Sequence, residues 1–220
     1  MSGNIDIVSL ATFISAFGAC ASAFATFRSV SEMKKQREVM YQPDPVVPPV
    51  KIEGNVDLPA TSARETGRVI NIGTGVAKDV SIRFSNNIRE LVPEASIQLA
   101  SMNNGYHISY EDSGLNIQQT SSSSNWAHTI QGSQGLKAAC IFQGEENRII
   151  FRLPSDFVAM AIFLAAMNTQ EMNHILSRLQ LTIDIEFSDI LGIFHKKQQV
   201  LRFSSSTYQA SDGSFILRFM

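Results

Sequence analysis

Three carboxylates, Asp184, Glu186 and Asp189, are close enough in sequence to bind a metal ion or to act in acid–base catalysis. Asp184 and Glu186 alternate with apolar residues along Leu181–Phe187, and this alternation predicts a strand whose polar side chains face solvent. Calcium binding needs more oxygen ligands than these residues supply. The sequence therefore predicts no metal site and no catalytic carboxylate here.

A short glycine motif, Gly73-Thr74-Gly75, follows a predicted strand and raises the question of phosphate binding. Phosphate-binding loops need a third glycine or a Lys-Ser/Thr pair, and they continue into a helix. The residues after Gly75 predict another strand instead. We therefore expect these glycines to form a turn by adopting positive φ angles.

The other reactive side chains lack the spacing of a catalytic or metal site. The chain has no Gly-x-Ser-x-Gly motif, although a Ser–His–carboxylate site is defined by geometry. Cys20 and Cys140 are far apart and form neither a zinc pattern nor a disulfide framework. Cys140 is predicted to be a buried small side chain, and Trp126 to belong to the core. We expect no enzyme activity, no cofactor and no metal. The four scattered histidines are His107, His128, His174 and His195.

An uncharged stretch near the N terminus predicts how the rest of the chain is attached to a membrane. Ile7–Phe27 contains no charged residue and no His, Asn, Gln or Pro. As a helix rising about 1.5 Å per residue it would span roughly 30 Å, the hydrocarbon thickness of a bilayer. We predict a short tail over residues 1–4 and a transmembrane helix over residues 5–27. No basic residue precedes it, unlike in a cleaved signal peptide, and its length argues against a buried helix of a soluble protein.

Small residues recur on one face of this predicted helix, and leucine and phenylalanine gather on the opposite face. A face of small residues lets a second helix approach closely within the membrane. We therefore predict that the helix self-associates into a homo-oligomer while the bulky side chains face lipid; a plain single anchor is the alternative. The predicted association face comprises Ala11, Ser15, Gly18, Ser22 and Thr26.

Basic residues follow the apolar stretch, whereas Asp6 is the only charge before it. The positive-inside rule then places the N terminus outside and the main domain in the cytoplasm, at the inner (plasma) membrane. The same basic residues suit the anionic headgroups of the lipid bilayer. The formal net charge of −2 offers no electrostatic surface for nucleic acid, so no nucleic-acid partner is predicted. The basic residues are Arg28, Lys34, Lys35 and Arg37.

Two segments connect the apolar stretch to the remaining chain. Residues 28–41 contain good helix formers and neither Gly nor Pro, which predicts a short juxtamembrane helix that continues the transmembrane helix. Residues 42–49 contain four prolines, which end the helix and favour a stiff, extended Pro-rich linker.

Residues 50–220 are predicted to form one mainly β domain, because short alternating segments are separated by turn residues. Ala77–Phe84 and Leu181–Phe187 show the clearest alternation. Ile97–Asn116 is predicted as a weaker strand region, and Gln118–Asn125 as a low-complexity surface loop.

Residues 155–179 interrupt the β pattern. Pro154-Ser155-Asp156 is typical of a helix start. The eleven apolar residues of Phe157–Met167 are too few to span a membrane. We predict a helical insert that packs over one end of the domain or is held as a lid; an exposed Phe157–Met167 would instead be a partner or membrane contact.

Two segments resemble bacterial single-pass membrane proteins that carry a cytoplasmic immunoglobulin-like β-sandwich and are largely uncharacterised. Arg68–Phe84 is similar to their motif of a strand, an Asn-x-Gly-x-Gly-x-Ala turn and a second strand. Leu181–Lys197 is similar to their hairpin with an aromatic-x-Asp turn and a glycine. The resemblance implies an immunoglobulin-like sandwich behind the anchor and implies no activity.

These observations favour a membrane-anchored binding or scaffold module. Its β-sandwich would recognise a protein partner, for example through an edge strand, and its self-associating anchor would raise avidity. A membrane effector of a toxin or phage-defence type, whose anchors cluster and perturb the bilayer, is a second hypothesis. A tethered hydrolase is a third, and no motif supports it.

Overall fold

The structure, a computed structural model, describes residues 7–55, 65–102, 105–112, 114–120, 125–130, 135–208 and 214–220, with backbone alone at 7–9, 40, 55 and 125–129. The chain forms two compact units, Met1–Gln42 and Pro43–Met220. The first unit contains a single described helix, α1 (Ile7–Met40), of 34 residues. The predicted continuation of the apolar helix through the juxtamembrane segment is therefore confirmed as far as Met40. The predicted tail over 1–4 lies outside the described residues.

The second unit, called the β domain here, is mainly β, as predicted. Its helices are α2 (Ile88–Met102), α3 (Ser155–Met167) and α4 (Gln170–Arg178). Its strands are β1 (Pro45–Val46), β2 (Val50–Asn55), β3 (Thr66–Asn71), β4 (Ala77–Asn86), β5 (Tyr106–Glu111), β6 (Gly114–Thr120), β7 (Asn125–Ile130), β8 (Leu136–Ile141), β9 (Gly144–Arg152), β10 (Gln180–Ser188), β11 (Phe194–Tyr208) and β12 (Ser214–Phe219).

The strands of the described residues form one six-stranded and two three-stranded sheets. The six-stranded sheet has the order β2-β12-β11-β10-β4-β8, and the others have the orders β1-β3-β9 and β5-β6-β7. β10 pairs along its whole length with β11, from Gln180 opposite Arg202 to Ser188 opposite Phe194. Its buried and half-buried residues alternate strictly. The strand predicted at Leu181–Phe187 and its hairpin partner are confirmed.

Aromatic contacts join these layers into a sandwich-like arrangement. The rings of Phe84 on β4 and Phe151 on β9 lie 5.1 Å apart and connect the six-stranded sheet to β1-β3-β9. A side chain at Gly67 would collide with the Phe151 ring, so the glycine allows this close approach. The domain core therefore lies between sheets, as the mainly β prediction requires.

The predicted helical insert is confirmed as α3 and α4. The prediction that it packs over one end of the domain or is held as a lid is wrong for α3, which lies within the core. Every residue from Asp156 to Ala165 is buried, so α3 is neither an exposed partner contact nor a second membrane span. Phe157 packs edge-on against Phe219 of β12, and Phe163 packs against Tyr106 of β5. The helix thus separates the six-stranded sheet from β5-β6-β7. A helix that is apolar all round is stable in water only when it is enclosed in this way.

One helix, α2, was not predicted from the sequence. Ile97–Met102, interpreted as the start of a weak strand region, belongs to α2. The buried residues of α2 recur at helical spacing, and this amphipathic pattern was available in the sequence. Pro93 stands inside the helix. Proline removes a backbone donor, which weakens the helical signal at that point. The buried residues are Ile88, Leu91, Val92, Ala95 and Leu99.

Two segments expected to be irregular are partly strands. Gln118–Thr120 ends β6 and Asn125 begins β7, while residues 121–124 lie outside the described residues. Within the predicted linker 42–49, β1 pairs with β3.

The Gln199 side chain also completes the pairing of this linker segment, donating to the Val47 carbonyl at 2.6 Å and accepting from the Val47 N–H at 2.9 Å. This part of the segment is integrated into the β domain because its backbone groups find partners there.

Replacing Leu164 by alanine tests the position of α3. Leu164 is 0% exposed, so Leu164→Ala should lower the free energy of unfolding by about 2–5 kcal/mol. Ile97→Ala is the control, because Ile97 lies on α2 and is 69% exposed; we expect a change within about 0.5 kcal/mol. Urea denaturation of the full chain measures both. Equal small losses would show that α3 is not enclosed.

Candidate functional site

α1 is, among the described residues, the one helix long and apolar enough to cross a membrane, over Leu10–Val39. Its large apolar side chains are exposed, with Phe13 and Phe17 at 71% and Phe27 at 75%. An apolar surface of this extent is unfavourable in water. N-terminal helices of this kind occur both as membrane anchors and as signal sequences.

The predicted association face is present as a set of exposed residues on α1: Ala11, Ser15, Gly18, Ser22 and Thr26. The Thr26 hydroxyl donates to the Ser22 carbonyl at 2.8 Å, so this polar group is satisfied within the helix. A β-carbon at Gly18 would meet no atom within 4 Å beyond the adjacent backbone of its own helix. The face is therefore open to another helix, and its use in self-association stays a prediction.

The predicted membrane-surface cations lie on the C-terminal part of the same helix. Arg28, Lys34, Lys35 and Arg37 are all exposed. Arg28 approaches Glu32 one turn further on, with 3.6 Å between Nε and Oε1. An exposed pair of this kind contributes little to stability, so these cations remain available to lipid phosphates. Their role at a membrane surface stays a prediction.

The carboxylates considered for chemistry are engaged in sheet contacts. Asp184 accepts a hydrogen bond from Gln198 at 2.9 Å, and Glu186 forms ion pairs with Arg83 and Lys196. Both lie on the polar face of β10, as predicted. Among the described residues no group of His, Cys, Asp and Glu could hold a metal ion.

Asn71, rather than glycine geometry, holds the turn between β3 and β4. Its side chain is 0% exposed. Its Oδ1 accepts from the N–H groups of Asp44 and Gly73, and its Nδ2 donates to the carbonyls of Gly75 and Ile141. The prediction of positive φ at the motif glycines is wrong, since the described glycines with positive φ are at other positions: Gly105, Gly114, Gly144 and Gly192.

The thiol of Cys140 is exposed, and the prediction that it is buried is wrong. β8 is the last strand of its sheet. Among the described residues, β8 has a strand neighbour on one side only. The apolar residues that flank Cys140 in the sequence therefore do not bury its thiol. The side chain of Trp126, predicted to belong to the core, lies outside what the structure describes, as does that of His128. His107 and His174 are exposed, whereas His195 has a specific partner.

That partner is Asp189, which organises the turn between β10 and β11. Asp189 Oδ1 accepts from the N–H groups of Leu191 at 2.8 Å and Ile193 at 2.9 Å. Its Oδ2 lies 3.1 Å from Nε2 of His195. The Gly192 N–H donates to the Asp189 carbonyl, and the Asp189 N–H donates to the Ile193 carbonyl. The turn is thus held by one buried carboxylate.

The environment of Asp189 favours its charged form. Burial opposes ionisation, but hydrogen bonds from His195 and from the N–H groups of Ile193 and Leu191 outweigh it and hold the pKa of Asp189 below its ordinary value. The His195 ring also stacks on Phe187, with 5.2 Å between ring centroids. The turn therefore has a defined conformation at neutral pH.

This turn displays apolar rather than polar side chains. Ile190, Leu191, Ile193 and Phe194 are 40% to 64% exposed. The sequence predicts a turn and its return strand here, but the exposed apolar surface was not predicted. The signal for it is that turns are usually rich in Gly, Asn, Asp, Ser and Pro, whereas this one carries Ile190 and Leu191.

Two further exposed apolar residues lie at the same end of the six-stranded sheet. Ser188 pairs with Lys78 and Ala77 pairs with Ile141, so the residues before β4 and after β8 reach this end. We call the resulting surface the apolar end: Ile72, Phe142, Ile190, Leu191, Ile193 and Phe194.

A buried carboxylate lies elsewhere, at the start of α3. Asp156 is 1% exposed. It accepts from the N–H of Phe157, from Asn86 at 3.0 Å and from the Tyr110 hydroxyl at 3.2 Å. Burial raises the pKa of Tyr110, and the nearby Asp156 raises it further, so the phenol stays a donor. This cluster ties α3 to β4 and β5, and it was interpreted from sequence only as a helix start.

Comparison with protein-family models, with curated proteins and with solved structures gave no match. The resemblance to bacterial single-pass membrane proteins with an immunoglobulin-like sandwich therefore stays a prediction. The candidate site is defined by its own geometry: an uncovered apolar helix and an apolar end on the β domain.

The depressed pKa of Asp189 gives a pH dependence that can be tested. Ionised Asp189 stabilises the folded state above the ordinary aspartate pKa of about 3.9, and this contribution is lost as the pH falls through the lower folded-state pKa. Asp189→Asn should therefore be less stable than the parent at about pH 6. The difference in stability between the two proteins should narrow towards about pH 3. Urea midpoints of both proteins across this pH range measure the difference in stability.

Asp184→Asn is the matched control for this measurement. Asp184 lies on β10, the strand that leads into this turn, and accepts one side-chain hydrogen bond, from Gln198, so Asp184→Asn should lower the urea midpoint at about pH 6 by less than Asp189→Asn does. If the difference in urea midpoint between Asp189→Asn and the parent does not change with pH, the charge of Asp189 adds nothing to its role as a hydrogen-bond acceptor.

Proposed function

We propose that the protein is a membrane-anchored binding module. α1 spans the inner (plasma) membrane, with the N terminus outside and the β domain in the cytoplasm. The anchor assembles copies of the chain, and the β domain recognises a protein partner. No catalytic step is part of this proposal.

The observation that carries the proposal is the uncovered apolar surface of α1. The apolar segment within Leu10–Val39 is 0% buried by the chain itself. In water such a surface costs about 25 cal/mol per Å² of apolar area, whereas in a bilayer it is matched by lipid. The helical backbone also satisfies its own hydrogen bonds, which a bilayer core requires. A bilayer is therefore the environment that suits this helix.

Charge supports the proposed orientation. The cations Arg28, Lys34, Lys35 and Arg37 follow the apolar segment within about three turns of helix. Lysine and arginine near a span favour the cytoplasmic side. The same residues gain from anionic lipid in the cytoplasmic leaflet.

The proposed recognition surface is the free side of β8. β8 ends the six-stranded sheet, and within the described residues only β4 pairs with it. A sheet edge offers unpaired N–H and C=O groups, to which a partner strand can add. Lys137 and Ala139 are exposed along this edge, so a partner would find side-chain contacts as well as backbone groups.

The anchor half of the proposal is tested by oxidative crosslinking in membranes. Ser15 lies on the association face of α1, whereas Cys20 lies off it. Ser15→Cys in a Cys20→Ala background should give several-fold more disulfide-linked dimer than the parent, whose only thiol in α1 is Cys20. Close contact between small faces brings the Ser15 positions together. Equal or absent crosslinking through both thiols would remove self-association from the proposal.

The recognition half is tested by a photoreactive residue at Ala139, with the same residue at the exposed position Ile97 as control. In native membranes, the Ala139 probe should give a discrete product with another protein that the Ile97 probe does not give. A chain that only clusters and perturbs the bilayer would crosslink to copies of itself and release vesicle contents, and this outcome would favour the effector hypothesis.

A further inference from the structure

We propose that the apolar end of the β domain is a second lipid contact, which inserts shallowly into the headgroup region of the bilayer. This inference goes beyond the proposed function and rests on it in one respect, since α1 is what keeps the β domain near a bilayer. The contact would give the β domain a fixed orientation on the membrane.

The apolar end concentrates the exposed apolar side chains of the β domain. Of the ten large apolar residues described there as exposed, six belong to the apolar end; the other four are Ile97, Ile150, Tyr208 and Met220. Soluble surfaces rarely gather such residues, and gathered ones mark interaction sites. None of the six carries a charge, so none opposes entry into lipid.

Backbone N–H groups of the turn have hydrogen-bond partners within the protein, which suits a poorly hydrated environment. The N–H groups of Leu191 and Ile193 donate to the Asp189 carboxylate, and that of Gly192 donates to the Asp189 carbonyl. Unsatisfied N–H groups are the main cost of placing an irregular segment in lipid. These bonds remove that cost for three of the N–H groups in the turn.

The size of the apolar end favours lipid over a protein partner. A stable protein–protein interface uses about 20–30 residues on each side, whereas six side chains project here. Lipid insertion has no such threshold, because each side chain gains free energy in proportion to the apolar area it removes from water. A small projecting apolar turn therefore suits a bilayer surface.

The apolar end is also where the chain enters the β domain. The Ile72 N–H donates to the Asp44 carbonyl at 3.0 Å, and the Asp44 N–H donates to Asn71 at 2.8 Å. Pro43 is the first residue of the β domain and Met40 the last of α1. The connection from the anchor therefore reaches the β domain beside Ile72.

Charge around the apolar end is mixed. Lys78 pairs in register with Ser188 at the base of the turn, and Asp79 beside it is also exposed. Lys196 lies two residues after Phe194 and forms an ion pair with Glu186. These charges suit a headgroup region that contains both phosphate and ammonium groups, and insertion depends on the apolar side chains.

A nitroxide spin label measures the insertion in the full chain. The protein with Cys20→Ala and Cys140→Ala is reconstituted into vesicles of phosphatidylcholine and phosphatidylglycerol, with the label at Leu191→Cys. The matched control carries it at Ile97→Cys, since Leu191 is 62% and Ile97 69% exposed. Collision of each label with oxygen, which partitions into lipid, is compared with collision with a water-soluble nickel chelate.

We expect the ratio of oxygen to nickel collisions to be several-fold higher at Leu191 than at Ile97. Equal ratios at the two sites would overturn the lipid contact. Shielding of the Leu191 label from both reagents would overturn it too, in favour of a protein partner or a second copy. Protein that leaves the vesicles on alkaline washing would instead refute anchoring by α1, a failure distinct from the others.

Discussion

Enclosure of α3 is the constraint on which the β domain depends. The helix is apolar on all sides, so it is stable in water only if neighbouring elements cover it. α4, β2, β6 and β7 pack against it, and aromatic contacts add β5 and β12. Gly54 keeps β2 free of a side chain where Phe215 and Ile162 approach. Asp156 is the one charged residue among the buried residues of this helix, and its hydrogen bonds to Asn86 and Tyr110 offset the cost of burying it.

In the part of the chain that the structure describes, exposed apolar side chains gather on two surfaces, α1 and the apolar end. α1 has the length and composition of a membrane helix, and the apolar end has the size and internal bonding of a shallow lipid contact. The polar groups beside the apolar end have structural roles: Asn71 joins the first residues of the β domain to the turn after β3, and Asp189 shapes the turn after β10. Asn71 and Asp189 therefore hold the backbone around the apolar end in place.

Local patterns account for the parts of the fold that could be predicted. The alternation of Leu181–Phe187 defines a strand with one buried face, because successive side chains point to opposite sides of a sheet. The uncharged run of Ile7–Phe27 defines an apolar helix, and Phe157–Met167 a helix too short to cross a bilayer. Local patterns do not reveal α2, because Pro93 weakens the helical signal and packing of its buried residues stabilises the helix nonetheless.

The sequence by itself determined the mainly β domain, the apolar N-terminal helix and the helical insert, because each follows from periodicity among near neighbours. Tertiary structure alone decided that Cys140 is exposed at a sheet edge, that Asn71 holds the turn after β3, and that Ile72 and Phe142 share one end of the sheet with the turn around Asp189. These features depend on which strands pair and in what register. Register joins residues distant in sequence, and no local pattern encodes it.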